Sequence, residues 1–153
     1  MSIWLKRLAI VLAVLFVGCQ FVRPSKANPP LNASLEINAA ESLPSDVEAT
    51  LARSCNDCHS HRTTWPWYSN VSPASWLLTH DVNEGRSEMN LSQWGTYSEE
   101  KRADLLRGIC KEVSDGEMPP FTYAVAHPTA RLTKTDVQTM CAWARASIMV
   151  SSR

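Results

Sequence analysis

Glycine is scarce in this chain of 153 residues, with 5 in all, no heptad persists, and 44% of the residues are hydrophobic. Collagen-like, coiled-coil and wholly disordered architectures are thereby excluded. Strand-like alternation, internal repeats and low-complexity tracts are missing too. Net charge is absent, 15 Lys+Arg against 15 Asp+Glu, but the balance is uneven along the chain. No acid precedes Glu36, whereas Lys6, Arg7, Arg23 and Lys26 do, so residues 28–153 carry 11 bases and 15 acids, a net of −4. Such a surface lacks the basic face that neutralises phosphates, and no nucleic-acid partner is expected. The length fits one compact domain.

What the N-terminus does have is a leader pattern. Lys6 and Arg7 precede an uncharged, apolar run from Leu8 to Val22, the charged and apolar regions of an export signal. The expected location is exported and periplasmic. Three fates of the segment stay open. Ser25 and Ala27 are small residues placed for cleavage before Asn28, Val17-Gly18-Cys19 resembles a lipoprotein site, and residues 3–22 retained as an anchor would attach the chain to a membrane. The apolar run of 15 residues is shorter than the roughly 20 a span needs.

The expected organisation is a signal peptide or anchor over 1–27, a linker over 28–44 rich in Pro, Asn, Ser and Ala, and a folded domain over 45–150. Four helices are legible in that domain, which makes it all-α. Ser45 and Glu48 form a capping box, and Val47 and Leu51 begin an apolar stripe leading to Cys55. Ser72-Pro73 opens a second helix over about 73–84, closed by Gly85. Ser98-Glu99-Glu100 opens a third, with Leu105, Leu106, Ile109, Cys110 and Val113 inward until Gly116. Thr133 with Asp136 opens a fourth, with Val137, Met140, Cys141, Ala144 and Ile148 inward.

Cys55-Asn56-Asp57-Cys58-His59 is the C-x-x-C-H pattern of covalent haem attachment. Two thiols three residues apart on a helical turn reach the two vinyl groups on one porphyrin edge, and His59, next in line, directs its imidazole at the iron. The motif predicts one haem c, bound through Cys55 and Cys58, with His59 as a metal ligand. A closed zinc site would need a second C-x-x-C or H-x-x-x-H downstream, and a thioredoxin-type pair would need a βαβ context; neither is present. For the other face of the iron the candidates are Met118, His61, His80, His127 and Met89. Met118 is favoured as the second metal ligand, because it follows Gly116 and precedes Pro119-Pro120 on a rigid, extended segment. His80, one turn after Trp76, is its rival, with a partly buried structural histidine as the plainer reading. His127 before Pro128 reads as fixing a loop, His61 lies too close to His59 to reach the opposite face, and Met89 reads as packing.

CNDCH, GEMPP about 60 residues on and a terminal helix LTKTDVQTMCAWA resemble the class I cytochrome c plan, in which a Met before Pro is the distal ligand. More closely, CNDCHSHRTTWPWYSNVSPASWLLTHDVNEGR, MNLSQW, GEMPPFTY, HPTARLT and CAWA look like the small haem-binding domain family of exported bacterial proteins, over roughly 28–147. The resemblance implies a small, cytochrome c-like helical domain around one haem, with Cys55 and Cys58 as thioether anchors, His59 proximal and Met118 distal. The inserted WPWYSNVSPASW segment departs from an ordinary small cytochrome c.

Trp65, Trp67, Tyr68, Trp76 and Trp94 are expected to wall the haem pocket, and Arg62 and Arg86 are candidates to pair with the haem propionates or to be plain surface charge. Cys110 and Cys141 are either bridged or two buried thiols. The function these readings imply is one-electron transfer on the periplasmic side, with a redox partner protein that the sequence does not identify. An alternative is a haem enzyme or gas sensor with an open sixth position, and a third is a haem module seated beside a larger membrane assembly.

Overall fold

A computed structural model describes residues 2–151, and all regular structure among them is helical. The α-helices are α1 (Ile3–Cys19), α2 (Ile37–Ala40), α3 (Ser45–Ser54), α4 (Asn56–His59), α5 (Ala74–Glu88), α6 (Glu99–Asp115), α7 (Phe121–Ala126) and α8 (Lys134–Ser151), with 3-10 turns at Trp67–Asn70, Leu91–Thr96 and Pro128–Ala130. The four helices expected from sequence are α3, α5, α6 and α8.

Local chemistry explains most of their ends. Ser98 Oγ accepts the Lys101 N–H at 3.2 Å, with Glu99 and Glu100 in the first turn of α6. Gly116 ends that helix at φ 77°, the left-handed conformation that costs glycine least. Thr133 N–H donates to Asp136 Oδ2 at 2.7 Å and Asp136 N–H donates to Thr133 Oγ1 at 3.2 Å, the reciprocal cap expected for α8. Two starts differ. Ser45 lies inside α3 behind Pro44 and no side chain caps that helix, so the box with Glu48 does not form. Pro73 rather than Ser72 stands at the cap of α5, and the Ser72 hydroxyl pairs with Ser75 instead, at 3.0 Å. Helix α5 also runs past Gly85 to Glu88; Gly85 is a point of contact, not a stop.

The core lies between α3, α6 and α8. Val47 and Leu51 meet Leu106, Ile109 and Val113, and these meet Met140, Trp143 and Ala144, with Ile37, Leu91 and Trp94 closing one side. Cys110 and Cys141 form a disulfide between α6 and α8, their Cα atoms 4.7 Å apart.

The stretch 28–44, expected as a linker, is part of this unit. Ile37 is buried and Leu43 packs on the core. The Trp94 and Trp143 indole N–H groups donate to Glu41 Oε1 (3.0 Å) and Ser42 O (3.2 Å), and Gly95 N–H donates to Leu35 O (2.9 Å). Two buried indoles thus find their acceptors here, as buried donors must, and the polar composition that reads as a tether supplies them. Helix α1 has no buried residue. Among the described residues, no helix is long and apolar enough to cross a membrane.

Candidate functional site

The C-x-x-C-H residues follow directly from the end of α3. Cys58 and His59 N–H groups both donate to Cys55 O, at 3.2 and 2.9 Å, which winds the three side chains onto the single turn α4. Helix α5 crosses that turn at Gly85, where a Cβ would lie 2.7 Å from Cys58 O. No larger residue admits this approach without a backbone shift. The approach brings Gly85 O to 2.9 Å and Met89 O to 3.1 Å from His59 Nδ1. Carbonyls only accept, so Nδ1 carries the proton, and Nε2 of the neutral ring keeps a lone pair for a metal.

Two adjoining clefts of about 350 and 300 Å3 open at this turn, and Ser54, His59, Glu88 and Met118 line both. Their size falls in the range of small-molecule and cofactor sites. One face of α6 forms a wall, with Leu105, Ile109 and Val113 as its aliphatic part. One face of α5, Asp81, Glu84, Gly85 and Glu88, forms the other, and the segment after Gly116 brings Met118 to the mouth. Burial, with the neighbouring Cys58, pushes the Cys55 thiol up to about 12. Burial, with Asp57 and Asp81 nearby, pushes the Cys58 thiol up to about 11. Both are protonated and free at neutral pH. Burial also raises the Asp81 carboxyl.

A family model described as a haem-binding domain matches residues 14–146. This chain belongs to the haem-binding domain family. No curated protein and no solved structure matches it. Haem is therefore its cofactor, and the residues at the clefts of this haem-binding domain fit one: two free thiols on one turn, an imidazole with an unpartnered Nε2, an aliphatic wall and a thioether at the mouth.

The other residues singled out by sequence fall elsewhere. His80 has a side chain 70% exposed and faces Glu84 at 3.4 Å, outside the clefts. His61 is buried, with Nδ1 donating to Pro30 O (3.2 Å) and Nε2 accepting from the Asn90 amide (3.0 Å), so no ring nitrogen is left for a metal. His127 fixes its loop, as expected: Nε2 lies 2.6 Å from Tyr68 Oη and the ring stacks on Tyr123. Arg62 makes a two-pronged pair with the buried Glu36 (3.0 and 2.7 Å). Arg86 donates to Ser60 O, Ala27 O, Asn28 Oδ1 and Thr63 Oγ1. Both guanidiniums hold chain segments together, and neither lines these clefts.

The tryptophans also fall elsewhere. Neither Trp65 nor Trp67 lines these clefts; Trp67 is 79% exposed, and Trp94 is fully buried in the core. Trp65 is partly buried with Nε1 unpartnered. The inserted segment carrying Trp65 and Trp67 packs through its 3-10 turn on the start of α5, and the aromatic ring lining the smaller cleft is that of Tyr123. Sequence reading missed Lys101, which lines the larger cleft from α6 and, among the described residues, is the only Lys or Arg lining either. Its place one turn before Leu105 and two turns before Ile109 on one helix face was the available signal.

Proposed function

We propose that this haem-binding domain is an exported, mono-haem c-type cytochrome that carries single electrons on the periplasmic side and exchanges them with a redox partner protein. The observation that carries the reading is His59: its Nδ1 is held by two carbonyls, its Nε2 is free, and it lines both clefts with Met118, beside two protonated thiols. Haem supplies the one-electron chemistry. Cys55 and Cys58 would anchor it as thioethers, each thiol adding across a vinyl group with its proton going to the second carbon, a step that needs no oxidant. His59 through Nε2 and Met118 through its thioether are the residues that would ligate the iron. Leu105, Ile109 and Val113 keep water from the ring and disfavour the more charged oxidised state, whereas Asp81, Glu84, Glu88 and Glu112 favour it; the potential reflects that contest. Lys101, which lines the larger cleft, is the cation for a propionate. Export is supported by the leader pattern and by the Cys110–Cys141 disulfide, which belongs to oxidising compartments.

A second reading, a gas sensor or haem enzyme with an open iron face, is favoured by one observation: Met118 is 37% exposed at the cleft mouth. Optical spectra of the haem-loaded protein, with and without Met118→Ala, test both. Haem retained through denaturing electrophoresis, with an iron–thioether band lost in the variant, supports the electron carrier. A high-spin spectrum that binds carbon monoxide and ignores the variant overturns it in favour of the open site. Haem that dissociates on denaturation overturns covalent attachment.

A further inference from the structure

Beyond Lys6 and Arg7 in its second turn, helix α1 is apolar on every side, and it has no buried residue: Ile3, Trp4, Leu8, Ile10 and Leu15 are all more than half exposed. A helix that is hydrophobic all round is normally buried in something. The chain that follows it is, by contrast, stitched to the domain from its first residue. Gln20 and Ser72 bond reciprocally, Nε2 to Ser72 O at 3.1 Å and Ser72 N–H to Oε1 at 2.9 Å. The Trp76 indole donates to Val22 O at 2.8 Å. Lys26 Nζ donates to Ser69 Oγ at 3.3 Å and to Asn70 Oδ1. Arg86 holds Ala27 O at 3.2 Å and Asn28 Oδ1 at 2.8 Å, and Asn28 donates to Thr63 O at 2.8 Å. Cleavage before Asn28 would discard the Gln20, Val22, Lys26 and Ala27 contacts. The family match begins at residue 14, inside α1, and so includes the whole strap.

These stitches also decide where α1 leaves the domain. Those of Gln20, Val22 and Lys26 gather at the turn Trp67–Asn70 and the start of α5, where Trp67 is 79%, Leu77 52% and Trp76 38% exposed, and Phe21 of the strap is 84% exposed. Tryptophan favours the boundary between lipid headgroups and acyl chains.

We propose that the strap Gln20–Asn28 is kept in the working protein and lays this aromatic end of the domain on a lipid bilayer in which α1 is embedded. Continuity with α1 commits the surface to lipid rather than to a second copy or a protein partner. Embedding does not require α1 to cross the bilayer. The inference rests on the export reading only for which side of the bilayer the domain occupies.

The test uses the full chain, expressed with a haem maturation system in a bacterial host. The expected result is a membrane fraction that withstands high salt and yields to detergent, with an N-terminus by intact mass upstream of Gln20 and a domain digested by protease added to spheroplasts. An N-terminus at Cys19 carrying acyl mass supports the strap and the surface, with lipid replacing α1 as the hold. A soluble periplasmic chain beginning at Asn28 overturns the inference and leaves export standing. A membrane-bound chain protected from protease, with Cys110 and Cys141 reduced, overturns export and supports the lipid contact. The surface is read separately in phosphatidylethanolamine/phosphatidylglycerol vesicles whose acyl chains are brominated near the headgroup. Trp67→Phe should remove a quenched component of the fluorescence; equal fractional quenching in variant and parent overturns the contact.

Discussion

His59 and His61 stand two residues apart, yet one belongs to the haem cleft and the other to the core. At the end of α4, Gly85 O and Met89 O bind one nitrogen of His59 and leave the second unpartnered. In the turn that follows, Pro30 and Asn90 take both nitrogens of His61. The same side chain is thus left able to bind a metal or made a structural pin according to how many of its nitrogens the fold consumes. The two regions can be broken separately, and each has its own readout.

The largest effect is expected on the cleft side. His59→Ala should abolish the low-spin spectrum while urea unfolding of the haem-free chain changes little. His61→Ala should do the reverse, keeping the spectrum and costing about 1–3 kcal/mol, because the Asn90 amide and Pro30 carbonyl lose their partner. A shared spectral loss in both variants would remove the distinction between the two regions.

Next in size is a change confined to the core side. The Cys110–Cys141 bridge closes 31 residues, and opening it by the double alanine variant should cost about 3–4 kcal/mol by loop entropy. The optical spectrum should stay, since neither cysteine lines the clefts. Gly85→Ala is the one change expected to register on both sides. Its Cβ meets Cys58 O at 2.7 Å, so α5 must move away from α4, with a loss of about 1–3 kcal/mol and a shift in the spectrum as the carbonyl withdraws from His59.

The smallest effect is a pH dependence on the core side alone. The Thr133 N–H and hydroxyl, with Arg53 2.6 Å away, hold the Asp136 carboxyl at about 2 against an ordinary 3.8. A depressed carboxyl stabilises the fold above its unfolded value and ceases to do so as pH falls through its folded one. Roughly 2 kcal/mol should therefore be present above pH about 4 and fade toward pH 2. Thermal unfolding of Asp136→Asn over that range should lack this slope, and the spectrum should be the same in both.

Local chemistry was readable without a structure wherever a residue's partner lies within one turn. Ser98 with Lys101, Thr133 with Asp136 and Gly116 at φ 77° are of this kind, and so is the C-x-x-C-H turn. The failures have partners far away. Gly85 reads as a helix stop because its neighbour is Cys58, 27 residues back. Arg62 and Arg86 read as haem partners because Glu36 and Asn28 lie in a stretch that composition marks as a tether.

The sequence alone determined that the chain is helical, that one turn carries two thiols and a histidine for haem, and that an apolar segment precedes them, because periodicity, capping and motif spacing act over a few residues. Only the tertiary structure decided which histidine lines the clefts with a free nitrogen, which cation lies beside it and whether Cys110 meets Cys141. Hydrogen-bonding capacity is finite, and where it is spent depends on side chains that the fold brings together from distant parts of the chain.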